Sequence, residues 1–152
     1  MTRIRSEATI RRPPSDVFDY VTTPANWPQW HPSSVAVTGD AGHPLDVGER
    51  CTEEFVVAGR HGVTEWTVVE RVRPERWKIE AHPANGGHAT ITYQLGPDAG
   101  GTHFSRTLLY ELPNAMLALL DILILRRRIK RESATALANL RRVLEEAYAP
   151  VA

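Results

Sequence analysis

The sequence holds a single cysteine, Cys51, among 152 residues. No intramolecular disulfide can form, and a lone thiol suits a reducing compartment. An excess of charge is missing too, because 18 basic residues balance 18 acidic ones. No net field favours nucleic acid or an anionic membrane. Long hydrophobic runs are also absent. The longest, Met116 to Leu125, spans ten residues and contains Asp121, whereas a membrane-spanning helix needs ~20. Met1 to Arg12 carries charges where a secretory leader would have its apolar stretch. Together these absences predict a cytoplasmic protein that does not bind nucleic acid and makes no stable membrane insertion.

Recognisable chemistry is scarce as well. None of the six histidines, His31, His43, His61, His82, His88 and His103, stands at the i, i+4 spacing of a helical metal motif. No phosphate-cradling glycine–lysine sequence occurs, and Gly96 to Gly101 joins two predicted strands instead of opening a helix. Ser33, Ser34, Ser105 and Ser133 lack the elbow of a serine nucleophile. Cys51, beside Glu53 on a predicted strand, reads as a small buried hydrophobe. Neither a metal nor a cofactor is expected.

What is present is an ordinary globular composition, 42% hydrophobic and 24% charged. The length suits one domain over residues 1–152, able to bury roughly 70% of its unfolded surface. Arg3 to Arg11 alternates, with Ile4, Ser6, Ala8 and Ile10 on one side, and so predicts a half-buried strand. Pro13 and Pro14 stop it. Ser15 reads as the N-cap of a short helix to Val21, and a second helical turn fits Pro24 to Trp30. Trp27 and Trp30 would pin these short helices to the edge of a sheet.

Strands follow over Ser34–Thr38, Glu49–Val57, Val63–Val72, Arg76–His82, His88–Leu95 and His103–Leu112. Their connections carry turn residues: Ala58 to Gly62, Arg73-Pro74-Glu75, Pro83-Ala84-Asn85-Gly86-Gly87 and the Gly96–Gly101 loop. Short connections imply an antiparallel meander. After Pro113, Asn114 can cap a helix running to about Tyr148, with Leu123, Ile129, Leu137, Leu140, Leu144 and Ala147 at helical spacing.

An apolar sheet face must be covered, and one long helix with two short ones is all the helix available. Six or seven strands on so little helix will curl and enclose a hollow, which is a ligand site by default. The predicted class is α+β, a curved six- or seven-stranded antiparallel sheet around a long C-terminal helix, with two short helices after the first strand.

Three segments carry a family likeness. Arg12 to Pro32, RPPSDVFDYVTTPANWPQWHP, resembles the opening of the START-like (SRPBCC, helix-grip, Bet v 1-like) superfamily, in its polyketide cyclase/dehydrase-like branch. VVERVRPERW, from Val68 to Trp77, and GTHFSRTLLYELP, from Gly101 to Pro113, are similar to later parts of the same branch. The resemblance spans essentially the whole chain and implies the helix-grip fold. Its members include lipid carriers, receptors and cyclases, so it implies no single activity and carries no universal catalytic motif.

Opposed residues on antiparallel strands share a face. Pairing Leu95 with Phe104 sets Tyr93 against Arg106 and Ile91 against Leu108, with Tyr110 further along. Trp77, Ile79 and Ala81 form the next inward set, opposed to Val72, Glu70 and Val68, with Trp66 beyond. The turn at Gly59 opposes Glu53 to Trp66 and Phe55 to Thr64. Phe55, Trp66, Val68, Trp77, Ile79, Ile91, Tyr93, Phe104, Arg106, Leu108 and Tyr110 are thus the candidate cavity wall, joined by Met116 and Leu120 of the helix. Arg106 sits among apolar neighbours, where a lone charge is costly. It requires an internal ion pair, an exit to the cavity mouth, or an acidic ligand.

The basic run Arg126 to Arg131 spreads around a helix and reads as a solvated face, while the apolar Met116–Leu125 beside it allows transient membrane contact. The function expected is binding, transport or sensing of a small hydrophobic molecule (a lipid, quinone or polyketide-like aromatic) by a monomer or homodimer. The alternative is a cyclase or dehydratase that uses Glu53, Glu70, Arg106 or Tyr93 for acid–base chemistry.

Overall fold

Strand β1 (Thr2–Ile10) buries Thr2, Ile4 and Ile10 and exposes Arg3, Arg5 and Glu7, as a strand covered on one face must. The computed structural model describes residues 1–82 and 86–147. Helix α1 (Pro14–Val21) follows, then a 3₁₀ turn (Pro24–Asn26) and helix α2 (Trp27–Trp30). Pro13, not Ser15, occupies the cap position of α1. Two consecutive prolines hold the backbone ready for a first turn at Pro14, which draws Ser15 inside the helix. Val17, Phe18 and Val21 form its buried side.

Six strands then run in a meander: β2 (Ser34–Gly39), β3 (Arg50–Val57), β4 (Arg60–Val72), β5 (Arg76–Ala81), β6 (His88–Asp98) and β7 (Gly101–Glu111). They form one curved antiparallel sheet in the order β1-β7-β6-β5-β4-β3-β2. A helical run of 33 residues follows: α3 (Ala115–Leu120), a π turn (Asp121–Leu125) and α4 (Arg126–Ala147). Asn114 caps α3, its side chain accepting from Leu117 N at 2.9 Å. The turn expected at Pro83, Ala84 and Asn85 and the helix end expected near Tyr148 lie outside the described residues.

The β6–β7 ladder pairs Leu95 with Phe104, Tyr93 with Arg106 and Ile91 with Leu108, as the alternation predicts. It also continues where a loop was expected. Gly96, Pro97 and Asp98 pair with His103, Thr102 and Gly101, leaving only Ala99-Gly100 to turn. The β3–β4 turn is equally short. Ala58 and Gly59 both take positive φ, 51° and 76°, the geometry of a two-residue hairpin whose twist matches the strands it joins. This tight turn moves the register by two residues from the expected one, so Glu53 opposes Thr64 and Phe55 opposes Gly62. A two-residue shift keeps every side chain on its face. Glu53 still points inward.

Glu70 does not. A bulge between Val68 and Glu70 pairs Val68 with Ile79, and Glu70 with Lys78. One extra residue reverses the faces beyond it. Glu70 therefore turns outward to meet Arg76 at 2.7 Å, and Val72 is exposed. Arg71, not Val72, stands opposite Trp77, and Val68, opposite Ile79 instead of Ala81, stays buried. A second phase error lies in the long helix. The π turn adds a residue to its winding, so Leu123 faces solvent while Leu137, Leu140 and Leu144 stay buried.

Helix α4 covers the inner sheet face along β1. Asn139 Nδ2 donates to Trp30 O at 3.1 Å and Ser33 Oγ donates to Glu132 Oε2 at 2.9 Å, tying α2 and the start of β2 to the helix. Among the described residues no helix is long and apolar enough to cross a membrane.

Candidate functional site

Between the sheet and the helical run lies a cavity of about 370 Å³, within the ordinary range of small-molecule sites. Its walls come from separate stretches of chain. The outer ends of β3 and β4 contribute Phe55, Val57 and Gly62, and the sheet centre contributes Ile91, Tyr93, Arg106 and Leu108. The helical run adds Leu125, Ile129 and Ser133. Gly62 has a local reason to be glycine: an added Cβ would strike the ring of Phe55, which lies across it.

Of the residues expected on the wall, Phe55, Trp66, Ile91, Tyr93, Arg106, Leu108 and Tyr110 line this cavity. Val68, Trp77, Ile79 and Phe104 are packed into the solid core. Met116 is 81% exposed, and Leu120 lies outside the lining. Trp27 and Trp30, expected at the sheet edge, are buried against its inner face and line the cavity.

The wall also carries polar side chains. Arg106 is only 6% exposed, so its charge does not reach solvent. Its Nη1 donates to Ser133 Oγ at a long 3.4 Å, and its Nε has no hydrogen-bond partner. Two further buried donors are in the same condition. Trp30 Nε1 is unpartnered. His31 Nδ1 accepts from Ser33 N at 3.2 Å, which places the ring proton on Nε2, and Nε2 also lacks a partner. Burial holds the His31 imidazole well below its usual pKa, and Arg106 adds to the effect, so the ring is neutral.

Glu53 accepts from Trp66 Nε1 at 3.1 Å. Burial lifts its pKa above the ordinary carboxylate value, partly offset by the Ser34 hydroxyl, the Trp66 indole and the charge of Arg106. Burial likewise raises Tyr93, with Arg106 acting in the opposite direction. Tyr110 differs, since its hydroxyl is already bound to the Asp121 carboxylate. Cys51 lies in the core, and burial, with Glu53 and Glu65 nearby, pushes its thiol up to about 12. That thiol stays protonated and unreactive at neutral pH.

Glu53 gives a pH prediction. Its folded pKa exceeds its unfolded one, so the stability it allows is present at low pH and lost as pH rises from the unfolded value through the folded one. Glu53→Gln should remove that loss. Melting temperatures measured from about pH 4, near the ordinary carboxylate value, up to about pH 8 should show the variant gaining on wild type as pH rises. Parallel curves would contradict a desolvated carboxyl.

His31 and Ser133 belong to the site although neither was expected there. Ser133 had a signal: it sits four residues from both Ile129 and Leu137, a small hydroxyl within the apolar stripe of a helix. His31 had none beyond its place after Trp30. Outside the cavity, Asp40, His43 and Glu49 bring three possible ligand atoms within 4.8 Å of one another. Contacts from the His43 ring nitrogens to both carboxylates, at 3.4 and 2.8 Å, already account for that cluster.

The chain matches the family described as "Polyketide cyclase / dehydrase and lipid transport" over residues 1–145. A search of curated proteins finds none that matches. Solved structures share the fold. A Rhodobacter sphaeroides protein is 22% identical, with a TM-score of 0.72 over 96% of this chain and 93% of its own. The Aha1 dimer from Colwellia psychrerythraea is 18% identical, with a TM-score of 0.64 over 97% and 99%. DynU16, a putative protein in the dynemicin biosynthetic locus, is 15% identical, with a TM-score of 0.67 over 95% of this chain and 48% of its own.

Proposed function

Because this chain belongs to the polyketide cyclase/dehydrase and lipid transport family, we propose that its cavity binds a small apolar molecule bearing an electronegative oxygen. The protein acts as carrier or sensor of that molecule. One observation carries the reading: Arg106 Nε, Trp30 Nε1 and His31 Nε2 are buried donors without partners, on residues that line one predominantly apolar cavity. A buried donor left unmatched costs about 1–3 kcal/mol, and all three want the same thing, an acceptor. A carboxylate, quinone carbonyl or phenolate would meet Arg106, while Phe55, Trp66, Ile91, Leu108 and Tyr110 cover the skeleton. A plain hydrocarbon would leave the donors unmet. Lipid acids, quinones and polyketide-like aromatics all have the required chemistry.

The test is native mass spectrometry of the protein purified from its own host. A co-purifying apolar molecule with an acidic or carbonyl oxygen is expected. A bound hydrocarbon, or a highly polar metabolite, would overturn the proposal.

A second reading, a cyclase or dehydratase, is favoured by the Glu53 carboxyl with its raised pKa in the same cavity as the neutral His31 imidazole. A carboxyl and a neutral imidazole in one cavity are the group types that donate and accept protons in such reactions. If the co-purifying molecule is turned over, Glu53→Gln should abolish turnover and retain binding. A carrier would show no turnover in either form.

A further inference from the structure

The segment from Ala115 to Leu125 is inverted. Its one buried residue is Asp121, while Met116, Leu119, Ile122, Leu123 and Ile124 are each more than half exposed. Asp121 is held inward by Thr2 Oγ1 at 2.8 Å, by the Tyr110 hydroxyl and by Arg126 at 3.5 Å. That polar anchor turns the apolar side chains outward. Scattered exposed leucines need no explanation, but five large apolar residues within nine positions form a contiguous patch. Such a patch is covered for at least part of the protein's life.

The next two turns indicate by what. Arg126, Arg127, Arg128, Lys130 and Arg131 follow directly, and the only acidic residue from Leu112 to Arg131 is the buried Asp121. Arg126 is engaged by Asp121 and Arg128 by Glu132. Among the described residues Arg127, Lys130 and Arg131 form no ion pair. Met116, Leu119 and Leu123, before and within the π turn, and Arg127 and Lys130, after it, are all exposed, so the exposed surface of the run passes from apolar to basic along its length. An apolar end with a basic collar fits a bilayer whose head groups are anionic: the side chains enter the acyl boundary and the cations remain among the phosphates. A second copy would bring the same cations against these.

We infer that Ala115–Arg131 docks the protein peripherally on an anionic lipid surface. The docking edge adjoins the cavity, because Leu125 and Ile129 of the same run line it. An apolar ligand can then pass between bilayer and cavity without crossing much water. The docking itself holds whatever the cavity binds.

Flotation with vesicles tests it, comparing phosphatidylcholine alone with an equal mixture of phosphatidylcholine and phosphatidylglycerol. Wild type should float with the anionic vesicles, much less with the neutral ones, and detach as salt is raised. The double variant Arg127→Glu, Lys130→Glu should lose at least roughly fivefold in partitioning for each basic residue removed. Ile122→Asp with Leu123→Asp should lose at least roughly tenfold. Both variants alter exposed side chains and should keep the wild-type melting temperature; if the aspartate variant misfolds, the charge variant decides alone. No flotation at low salt, equal flotation with both vesicles, or indifference to the charge variant would overturn the inference. So would a wild-type dimer in sedimentation that Ile122→Asp dissociates, since the patch would then be a contact between copies.

Discussion

Arg106→Leu is expected to weaken binding of 1-anilinonaphthalene-8-sulfonate, an apolar probe with one anionic group, by at least roughly thirtyfold, while the domain stays folded. The magnitude follows from removing a buried, hydrogen-bonding charge opposite an anion, which costs about 2–5 kcal/mol of binding. The stability side runs against intuition. Arg106 forms no ion pair among the described residues; its side chain meets the Ser133 hydroxyl at 3.4 Å and the Tyr93 hydroxyl, and both are neutral partners. Leucine at this position removes a poorly compensated charge and extends the apolar wall through Leu108 and Ile91. A buried charge without an ion-pair partner is costly, so the melting temperature should hold or rise when it is removed. Fluorescence titration and a thermal melt on the same sample read both effects. Unchanged affinity in a folded variant would remove Arg106 as the anchor; a large loss of stability would make it a structural charge instead.

The outline of this cavity was legible because alternation is a strong signal where a sheet has one dry face. Tyr93, Arg106, Ile91 and Leu108 pair as expected because the β6–β7 hairpin closes in two residues and nothing disturbs its ladder. The two reversals of face share one physical cause, a local gain of one residue that leaves no mark in composition. The bulge at Val69 contains no glycine or proline, yet it sends Glu70 from the cavity side to a surface pair with Arg76. The π turn over Asp121–Leu125 likewise lies in a run of good helix formers, and it exposes Leu123. The polar centre was half legible. A lone arginine in an apolar alternation is conspicuous, whereas His31 and Trp30 become donors at the same site only when α2 folds onto the inner face. That contact is tertiary and has no period to read.

The aromatic side chains pose the sharper problem, because Trp66 and Trp77 look alike in the sequence and do different work. Trp77 is fully buried. Its ring stacks on Tyr93 at 5.3 Å and meets the Trp27 edge at 6.3 Å, and its Nε1 donates to Leu45 O at 3.1 Å. Trp77→Ala should therefore cost about 3–5 kcal/mol, a large share of the total stability of a domain of this size. It opens a void in close-packed surroundings and strands a buried carbonyl. Trp66 is nearly as buried but stands on the cavity wall, with its Nε1 on Glu53. The space left by Trp66→Ala merges with space already there, and Glu53 can shed its carboxylate charge once the indole is gone. The cost should be visibly smaller, and the loss should appear in binding of the sulfonate probe. Urea unfolding of the two variants separates them: a clear fall in midpoint for Trp77→Ala beside a modest one for Trp66→Ala places Trp77 in the packed core and Trp66 on a free cavity wall. Equal midpoints would mean that Trp66 is core as well, and that the apolar wall at this end of the cavity is not free to meet a ligand.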